Sequence, residues 1–146
     1  MKKMFLVICL TFFGYGQEAS TGHTVTDSKT GLEWQDDILG ETVRWQEAID
    51  YCEALDLDGH SDWRLPNINE LKTIIDRSKS NPAIVDGFEK VSSSLYWSSS
   101  TFKGREDDAW VVVFDGGGVR GYAKDYSLMC VALETDSRFL IFENEA

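Results

Sequence analysis

The stretch Gly59-His60-Ser61-Asp62-Trp63-Arg64-Leu65-Pro66-Asn67 contains the clearest structural signals in the chain. Asn67 is followed three residues later by Glu70, which is the spacing of a capping box with Asn in place of Ser or Thr. Apolar residues then recur at helical spacing. We therefore predict a helix that begins at this point and ends before Asn81-Pro82.

Within the same stretch, Trp63, Arg64 and Pro66 form a motif that we interpret as a determinant of the fold. Arg64 lies between an aromatic side chain and the start of the helix. A guanidinium in that position can donate to several backbone carbonyls or to the carboxylate of Asp62. A structural role is favoured over a binding role because the motif leads directly into a helix.

A second helix and a hairpin are predicted upstream. Thr42 can cap a helix that runs to about Leu55, because apolar residues recur there at steps of three and four. Cys52 lies on this apolar stripe and is expected to face the core. Residues 24–26 and 32–34 flank a turn-forming cluster and predict an opening hairpin.

The last third of the chain is predicted to be β-structure, since it is rich in aromatic and β-branched residues. The Asp115-Gly116-Gly117-Gly118 cluster is typical of a hairpin turn. Strands are predicted at residues 95–97, 110–114, 119–122 and 127–133, with a further candidate at 138–142. For most of the five tryptophans we predict core packing rather than stacking on sugars: Trp34, Trp45, Trp63, Trp97 and Trp110.

The first sixteen residues are predicted to be a secretory signal peptide. Two lysines precede an apolar run over residues 4–13, and the small residues Gly14 and Gly16 follow it. The run of about ten residues is too short to span a membrane, for which roughly twenty are needed. We predict cleavage after Gly16 and one exported domain over residues 17–146, in the periplasm, on the cell surface or outside the cell. A buried N-terminal strand or helix is the alternative.

The composition excludes several classes of partner. The 146-residue chain is 42% hydrophobic, too apolar for a disordered acidic tail. It has 14 Lys and Arg against 25 Asp and Glu, a formal net charge of −11 that becomes −13 without the two lysines of the leader. Nucleic acid and anionic membrane surfaces are disfavoured as partners, because both attract clustered Lys and Arg.

Cysteine usage predicts one disulfide. Cys9 lies in the predicted signal peptide, so the exported domain keeps Cys52 and Cys130. An even pair in an exported protein favours a disulfide, and two buried thiols are the alternative. A zinc site is disfavoured, since His23 and His60 are the only histidines and the sequence has no CxxC pair.

A set of short stretches occurs in an order that matches a known family. They are Val25-Thr26-Asp27, Thr30-Gly31-Leu32-Glu33-Trp34-Gln35, Trp45-Gln46-Glu47-Ala48, Tyr51-Cys52, the opening stretch from Gly59 to Asn67, Glu70-Leu71, Tyr96-Trp97-Ser98-Ser99, Ala109-Trp110-Val111-Val112-Val113-Phe114 and Cys130-Val131. Through them the chain resembles the Lcl C-terminal (DUF1566) domain family of exported bacterial proteins. The resemblance implies a C-type-lectin-like α+β fold, related to that of formylglycine-generating enzymes, with two helices packed on small antiparallel sheets. It also implies a disulfide between Cys52 on the first helix and Cys130 on a late strand.

The resemblance further implies a surface or secreted protein, since some domains of this family form the terminal domain of collagen-like adhesins that bind glycans. We predict a non-catalytic recognition domain whose ligand, a glycan or a protein, meets loops at about residues 100–108 and 115–126. The candidate ligand-binding residues are Lys103, Arg105, Asp107, Asp108, Arg120, Tyr122, Lys124 and Tyr126. A solvated surface of mixed charge is the alternative, because acidic and basic residues are interleaved there.

Calcium is the one cofactor for which the sequence offers candidate ligands. Asp56, Asp58 and Asp62 resemble a fragment of a calcium loop, and residues 106–108 form a second acidic segment. The third alternating ligand and the bidentate Glu of such a loop are missing. We therefore expect no resident cofactor and keep these three carboxylates as the metal-ligand candidates.

An enzyme is disfavoured. His60, Ser61 and Asp62 are consecutive, whereas the members of a catalytic triad come from distant segments. Formylglycine-generating enzymes use a cysteine pair, which a structural disulfide would occupy. Two hypotheses stand beside recognition: a structural or assembly module for an envelope protein partner, and an enzyme of the formylglycine-generating-enzyme-like superfamily.

Overall fold

Two antiparallel sheets and two short helices form the part of the chain that the computed structural model describes, residues 24–37 and 41–135. The strands are β1 (Thr24–Thr26), β2 (Glu33–Gln35), β3 (Trp63–Arg64), β4 (Leu95–Phe102), β5 (Arg105–Val113), β6 (Gly118–Ala123) and β7 (Leu133–Glu134), and the helices are α1 (Trp45–Glu53) and α2 (Ile68–Thr73). One sheet has the strand order β1-β2-β7-β3 and the other has the order β4-β5-β6. The predicted α+β class is confirmed, while the finer C-type-lectin-like assignment stays a prediction.

The predicted opening hairpin is formed by β1 and β2. The buried carboxylate of Asp27 organises its turn by accepting hydrogen bonds from the Thr30 hydroxyl at 2.6 Å and the Lys29 backbone N–H at 3.2 Å. Gly31 completes the turn with φ of 72°, a conformation that most side chains disfavour.

Helix α1 begins later than the predicted cap, Thr42. Val43 is held in an extended bridge with Leu128, with backbone hydrogen bonds of 2.8 and 2.9 Å in the two directions, so the chain cannot be helical there. The N-cap is instead Arg44, whose backbone N–H donates to the Glu47 carboxylate at 2.8 Å. A contact with a distant segment has therefore moved the start of this helix.

Helix α2 begins after Asn67, as predicted. The Asn67 side-chain oxygen accepts a hydrogen bond from the backbone N–H of Glu70 at 2.8 Å. The helix is only 6 residues long, shorter than predicted, because Ile75 leaves the helix and pairs with Ile84.

The guanidinium of Arg64 binds the carboxylate of Glu70 through two hydrogen bonds of 2.8 and 2.9 Å. The same carboxylate accepts from the Asn67 side-chain amide at 2.6 Å, and the Glu70 side chain is only 2% exposed. This geometry supports the predicted structural role of Arg64. The predicted partners were wrong, since Glu70 takes the place of Asp62 and of the backbone carbonyls.

Strands β4 and β5 are longer than predicted and form one hairpin. Residues 100–108 were predicted to be a loop, but only Lys103 and Gly104 lie outside the strands. Gly104 has φ of 85°, which suits a tight turn. The polar segment 106–108 is part of β5, because its backbone is paired although its side chains face solvent or other polar groups.

Two buried clusters cover opposite faces of the three-stranded sheet. Tyr96 and Val112 belong to the first cluster, while the next strand positions, Trp97 and Val111, belong to the second. The core prediction is confirmed for the three buried tryptophans, Trp34, Trp63 and Trp97. It is only partly met by Trp45 and Trp110, which are half-buried.

Cys52 and Cys130 are free thiols in the second cluster, so the predicted disulfide is not present in the structure. Cys52 is 0% exposed and Cys130 is 3% exposed. Hydrogen bonding to the Cys130 thiol and burial raise the pKa of Cys52 above its ordinary range. The two cysteines are neighbours, as the resemblance implied, but the structure contains the alternative of two buried thiols.

The predicted strand at residues 127–133 is mostly an extended segment that makes single bridges. Leu128 pairs with Val43 and Met129 with Tyr96, and only the end of the segment enters a sheet, as β7. The predicted signal peptide at residues 1–16 and the candidate strand at 138–142 lie outside the described residues. Within the described ranges, no helix is long and apolar enough to cross a membrane.

Candidate functional site

Most of the predicted ligand-binding residues meet at one end of the three-stranded sheet. We call this region the hairpin end and define it as residues 101–110 and 121–126. Asp108 pairs with Ala123, and the backbone N–H of Lys124 donates to the carbonyl of Asp107 at 2.9 Å. Arg120 lies farther along β6, where it pairs with Val111 and is outside the hairpin end.

Lys124 is engaged by the protein itself. Its ammonium lies 4.0 Å from the centre of the Trp45 ring and donates to the Thr101 hydroxyl at 3.0 Å and to the Glu106 carbonyl at 2.8 Å. The Trp45 indole N–H in turn donates to the Ser98 carbonyl at 2.9 Å. Lys124 therefore ties the start of α1 to the hairpin end, and its ammonium group already has partners within the protein.

Tyr126 provides the exposed aromatic surface of this region. It is 58% exposed and is the only large hydrophobic side chain classed as exposed among residues 24–37 and 41–135. Its ring meets the ring of Tyr122 edge to face, with centroids 5.4 Å apart and an interplanar angle of 86°. Its backbone N–H donates to the Ala123 carbonyl at 3.1 Å, which fixes the turn that carries the ring.

A shallow pocket of about 350 Å³ opens in the same segment. It is lined by Asp107, Ala123, Lys124 and Asp125. Two carboxylates thus face a space next to the turn that carries Tyr126. Such a pocket can accept hydrogen bonds from hydroxyl or ammonium groups of a ligand.

The opposite face of the hairpin end carries a second group of side chains. The Phe102 ring packs on Trp110 with centroids 4.3 Å apart, and the Arg105 guanidinium lies 4.4 Å from the centre of the Phe102 ring. Arg105 also pairs with Asp108 at 3.1 Å. Gly121 makes room for this group, since a Cβ atom there would lie 2.5 Å from the Phe102 ring.

The two faces hold different predicted residues. Trp110 pairs with Gly121 and the neighbouring Ala109 pairs with Tyr122, so Trp110 and Tyr122 point to opposite sides of the sheet. Arg105 and Asp108 form an ion pair beside Phe102. Asp107 and Lys124 instead line the pocket, next to the turn that carries Tyr126. Lys103 is exposed at the β4–β5 turn, and Arg120 is exposed on the edge strand β6. The structure therefore divides the predicted set into two groups and two separate cations.

Sequence reasoning missed two aromatic residues of this region. Phe102 was assigned to a loop and Trp110 to the core, yet both are half-buried and form the stack beside Arg105. The available signal was the sequence Phe102-Lys103-Gly104-Arg105, in which a turn pair is flanked by an aromatic and a cationic residue.

The calcium candidates are not arranged as one ligand set. Asp58 and Gly59, with φ of 51° and 83°, form the centre of a tight turn in which Leu57 and His60 exchange two backbone hydrogen bonds of 3.0 Å. This is the geometry of a type I′ turn and explains the Asp-Gly pair without a metal. The structure groups Asp62 with His60 and Glu134 instead, and Asp56 and Asp58 do not belong to that group.

The fold and site define the class of this protein: a small α+β domain with a partly exposed aromatic and charged surface at one sheet end. The family model of the Lcl C-terminal domain matches residues 23–132, about three quarters of the chain. The chain therefore belongs to the Lcl C-terminal domain family. The matched range contains β1 to β6, both buried cysteines and the whole hairpin end. A search among curated proteins found no match.

Proposed function

We propose that the chain is an exported, non-catalytic recognition domain that binds a carbohydrate at the hairpin end. The observation that carries this proposal is the 58% exposure of Tyr126 on a turn bordering a pocket with two carboxylates. Sugars present apolar C–H faces and many hydroxyl groups. An exposed aromatic ring can cover the former, and carboxylates accept hydrogen bonds from the latter.

The charge of the chain narrows the class of sugar. The formal net charge is −11, and the pocket is lined by Asp107 and Asp125. The ammonium of Lys124, which also borders the pocket, is held by Thr101 and Glu106. The negative electrostatic potential of the chain and of this pocket would repel polyanionic glycans, so neutral sugars and amino sugars are the favoured ligands.

Export and the lack of catalysis belong to the proposal. Export rests on residues 1–16, with the charged, apolar and small-residue segments of a signal peptide. Mass spectrometry of protein recovered from the envelope or the medium should give a mature chain that begins at Gln17. A chain that retains Met1 after secretion-competent expression would contradict it.

The carbohydrate part is tested with a glycan array, run with and without calcium and at low and moderate salt. We expect binding to neutral or amino sugars that does not depend on calcium. Tyr126→Ala and Asp107→Asn should each weaken binding at least tenfold. The matched controls are Tyr126→Phe, which keeps the ring, and Arg77→Ala, which changes an exposed residue outside the hairpin end.

Two outcomes would replace this proposal. If no glycan is bound and an envelope extract yields a stable protein partner that free sugars do not displace, the chain is an assembly module. If a thiol of the native reduced protein reacts rapidly with a thiol reagent, the enzyme hypothesis gains support. We expect slow labelling of both cysteines in the native state and rapid labelling after unfolding, because Cys52 and Cys130 are 0% and 3% exposed.

A further inference from the structure

A second side-chain cluster lies outside the hairpin end, where the turn before β3 meets β7. His60, Asp62 and Glu134 each offer one ligand atom, and these three atoms lie within 4.8 Å of one another. The His60 Nδ1 atom is 3.5 Å from the Glu134 Oε1 atom. None of these residues takes part in the proposed carbohydrate site.

Backbone contacts hold the three residues in place. Trp63 pairs with Glu134 across the β3–β7 ladder, and the backbone N–H of Thr135 donates to the carbonyl of Asp62 at 3.0 Å. The indole N–H of Trp63 donates to the carbonyl of His60, also at 3.0 Å. The main chain is therefore fixed near all three side chains, which holds their ligand atoms in one cluster.

We propose that His60, Asp62 and Glu134 bind one divalent transition-metal ion, for which Zn²⁺ is the best match, with water completing the coordination. Zinc sites with three protein ligands and water are a common arrangement. Ligand atoms at about 2.0–2.1 Å from a tetrahedral ion lie roughly 3.3–3.4 Å apart. The 3.5 Å between His60 Nδ1 and Glu134 Oε1 is close to that separation.

The donor set favours this class of ion over calcium or magnesium. Ca²⁺ and Mg²⁺ prefer oxygen ligands, whereas an imidazole nitrogen suits zinc, copper, nickel and iron. The two carboxylates balance the charge of a divalent ion. Solvent can reach the cluster through His60, whose side chain is 45% exposed, while the Glu134 side chain is 11% exposed and therefore largely desolvated.

The competing explanation is an ordinary ion pair between a protonated His60 and Glu134. An ion pair would bind no metal and would not distinguish Zn²⁺ from Ca²⁺. The thiols of Cys52 and Cys130 could also bind zinc, but both are buried in the folded protein. A site that depends on His60 is therefore separable from zinc binding by thiols.

Isothermal titration calorimetry of the untagged chain with ZnCl₂ tests the proposal, with CaCl₂ and MgCl₂ as comparisons. We expect one zinc ion per chain with micromolar or tighter affinity, and much weaker heats for calcium and magnesium. His60→Gln and Glu134→Gln should each weaken zinc binding at least tenfold. Asp58→Asn is the matched control: it removes a carboxylate of the same turn outside the cluster, and Asn tolerates the positive φ of that position.

A second readout separates loss of the site from loss of the fold. The Co²⁺-loaded protein should show the intense visible absorption of a four-coordinate ion, and His60→Gln should lose it while its circular dichroism spectrum is unchanged. Zinc binding that is equally tight in His60→Gln and Glu134→Gln would overturn the proposal, as would micromolar affinity for calcium. Either result would leave the carbohydrate proposal standing, since Tyr126 and its pocket are not involved.

Discussion

The opening stretch from Gly59 to Asn67 and the hairpin end use similar chemistry in opposite ways. In the first region, Arg64 binds Glu70 through two hydrogen bonds, and the Glu70 side chain is 2% exposed. In the second region, Arg105 pairs with Asp108 at 3.1 Å, and their side chains are 59% and 15% exposed. Both are arginine–carboxylate pairs of helix or strand residues, but the first is buried more deeply, since the Arg64 side chain is 28% exposed and the Arg105 side chain is 59% exposed.

The difference separates residues that build the fold from residues available to a ligand. A buried carboxylate must keep its partners, because an unpaired charge inside a protein is strongly destabilising. An exposed pair contributes little to stability, so its groups can exchange one partner for another. The Arg64–Glu70 pair of the opening stretch is thus structural, and the hairpin end carries charged groups that solvent can reach.

The largest expected effect comes from Glu70→Ala, which breaks the buried pair. Arg64 would lose its carboxylate partner and Asn67 would lose a side-chain contact. We expect the free energy of unfolding, measured by urea denaturation, to fall by about 3 kcal/mol. The control is Asp86→Asn, which removes the negative charge from the exposed Lys79–Asp86 pair and should cause no measurable loss. Equal losses in both variants would remove the distinction between the two regions.

Lys124→Met gives the next largest effect and shows whether this lysine belongs to the fold or to the ligand site. The variant keeps the aliphatic stem but loses the cation–π interaction with the Trp45 ring and the two hydrogen bonds of the ammonium. We expect a loss of about 1–2 kcal/mol in the free energy of unfolding. Lys103→Met, at the exposed β4–β5 turn, should change stability by less than about 0.5 kcal/mol. Unchanged stability of Lys124→Met with impaired glycan binding would move Lys124 from the fold to the site.

Gly121→Ala tests the packing on the second face of the hairpin end. The added Cβ atom would lie 2.5 Å from the Phe102 ring and 3.0 Å from an Arg105 nitrogen, so the stack must shift. We expect a loss of about 1 kcal/mol, measured in the same urea titration. Gly116→Ala is the matched control, since no atom lies within 4 Å of its added Cβ. A neutral Gly121→Ala would show that the Phe102 stack is loose and belongs with the exposed surface.

Local signals explain the parts of the fold that the sequence predicts. The Asn67 cap, the glycine-rich hairpin turn at residues 115–118 and the opening hairpin all depend on residues close together in the chain. The apolar stripe of α1 is equally local, and Ala48 and Cys52 are buried as it predicts. These features form because nearby residues satisfy one another's backbone groups or share one face.

The errors share a different cause, which is contact between distant segments. The bridge between Val43 and Leu128 moves the start of α1 to a later residue, and no residue near Thr42 indicates that this bridge will form. Residues 106–108 belong to a strand that the sequence did not predict. Alternation of apolar and polar residues predicts only those strands that cover a core, and these three residues are all polar. The partner of Arg64 depends on how α2 folds back on the chain.

The candidate sites illustrate the same limit. Most of the candidate residues lie together at the hairpin end. They were candidates because charged and aromatic residues between predicted strands indicate an accessible surface. Their division between two faces needed the register of β5 and β6, which places Trp110 and Tyr122 on opposite sides. Glu134 was not foreseen as a neighbour of His60, since only the closure of the β3–β7 ladder brings them together.

The most direct test of the account measures stability and glycan binding of Tyr126→Ala in parallel. Because Tyr126 is 58% exposed, we expect its free energy of unfolding to change by less than about 0.5 kcal/mol. Binding to the best ligand of the glycan array should fall at least tenfold, and Tyr126→Phe should retain most of it. A Tyr126→Ala protein that is destabilised as much as Glu70→Ala, or that binds the glycan as tightly as the unchanged chain, would contradict the assignment of the hairpin end as the binding surface.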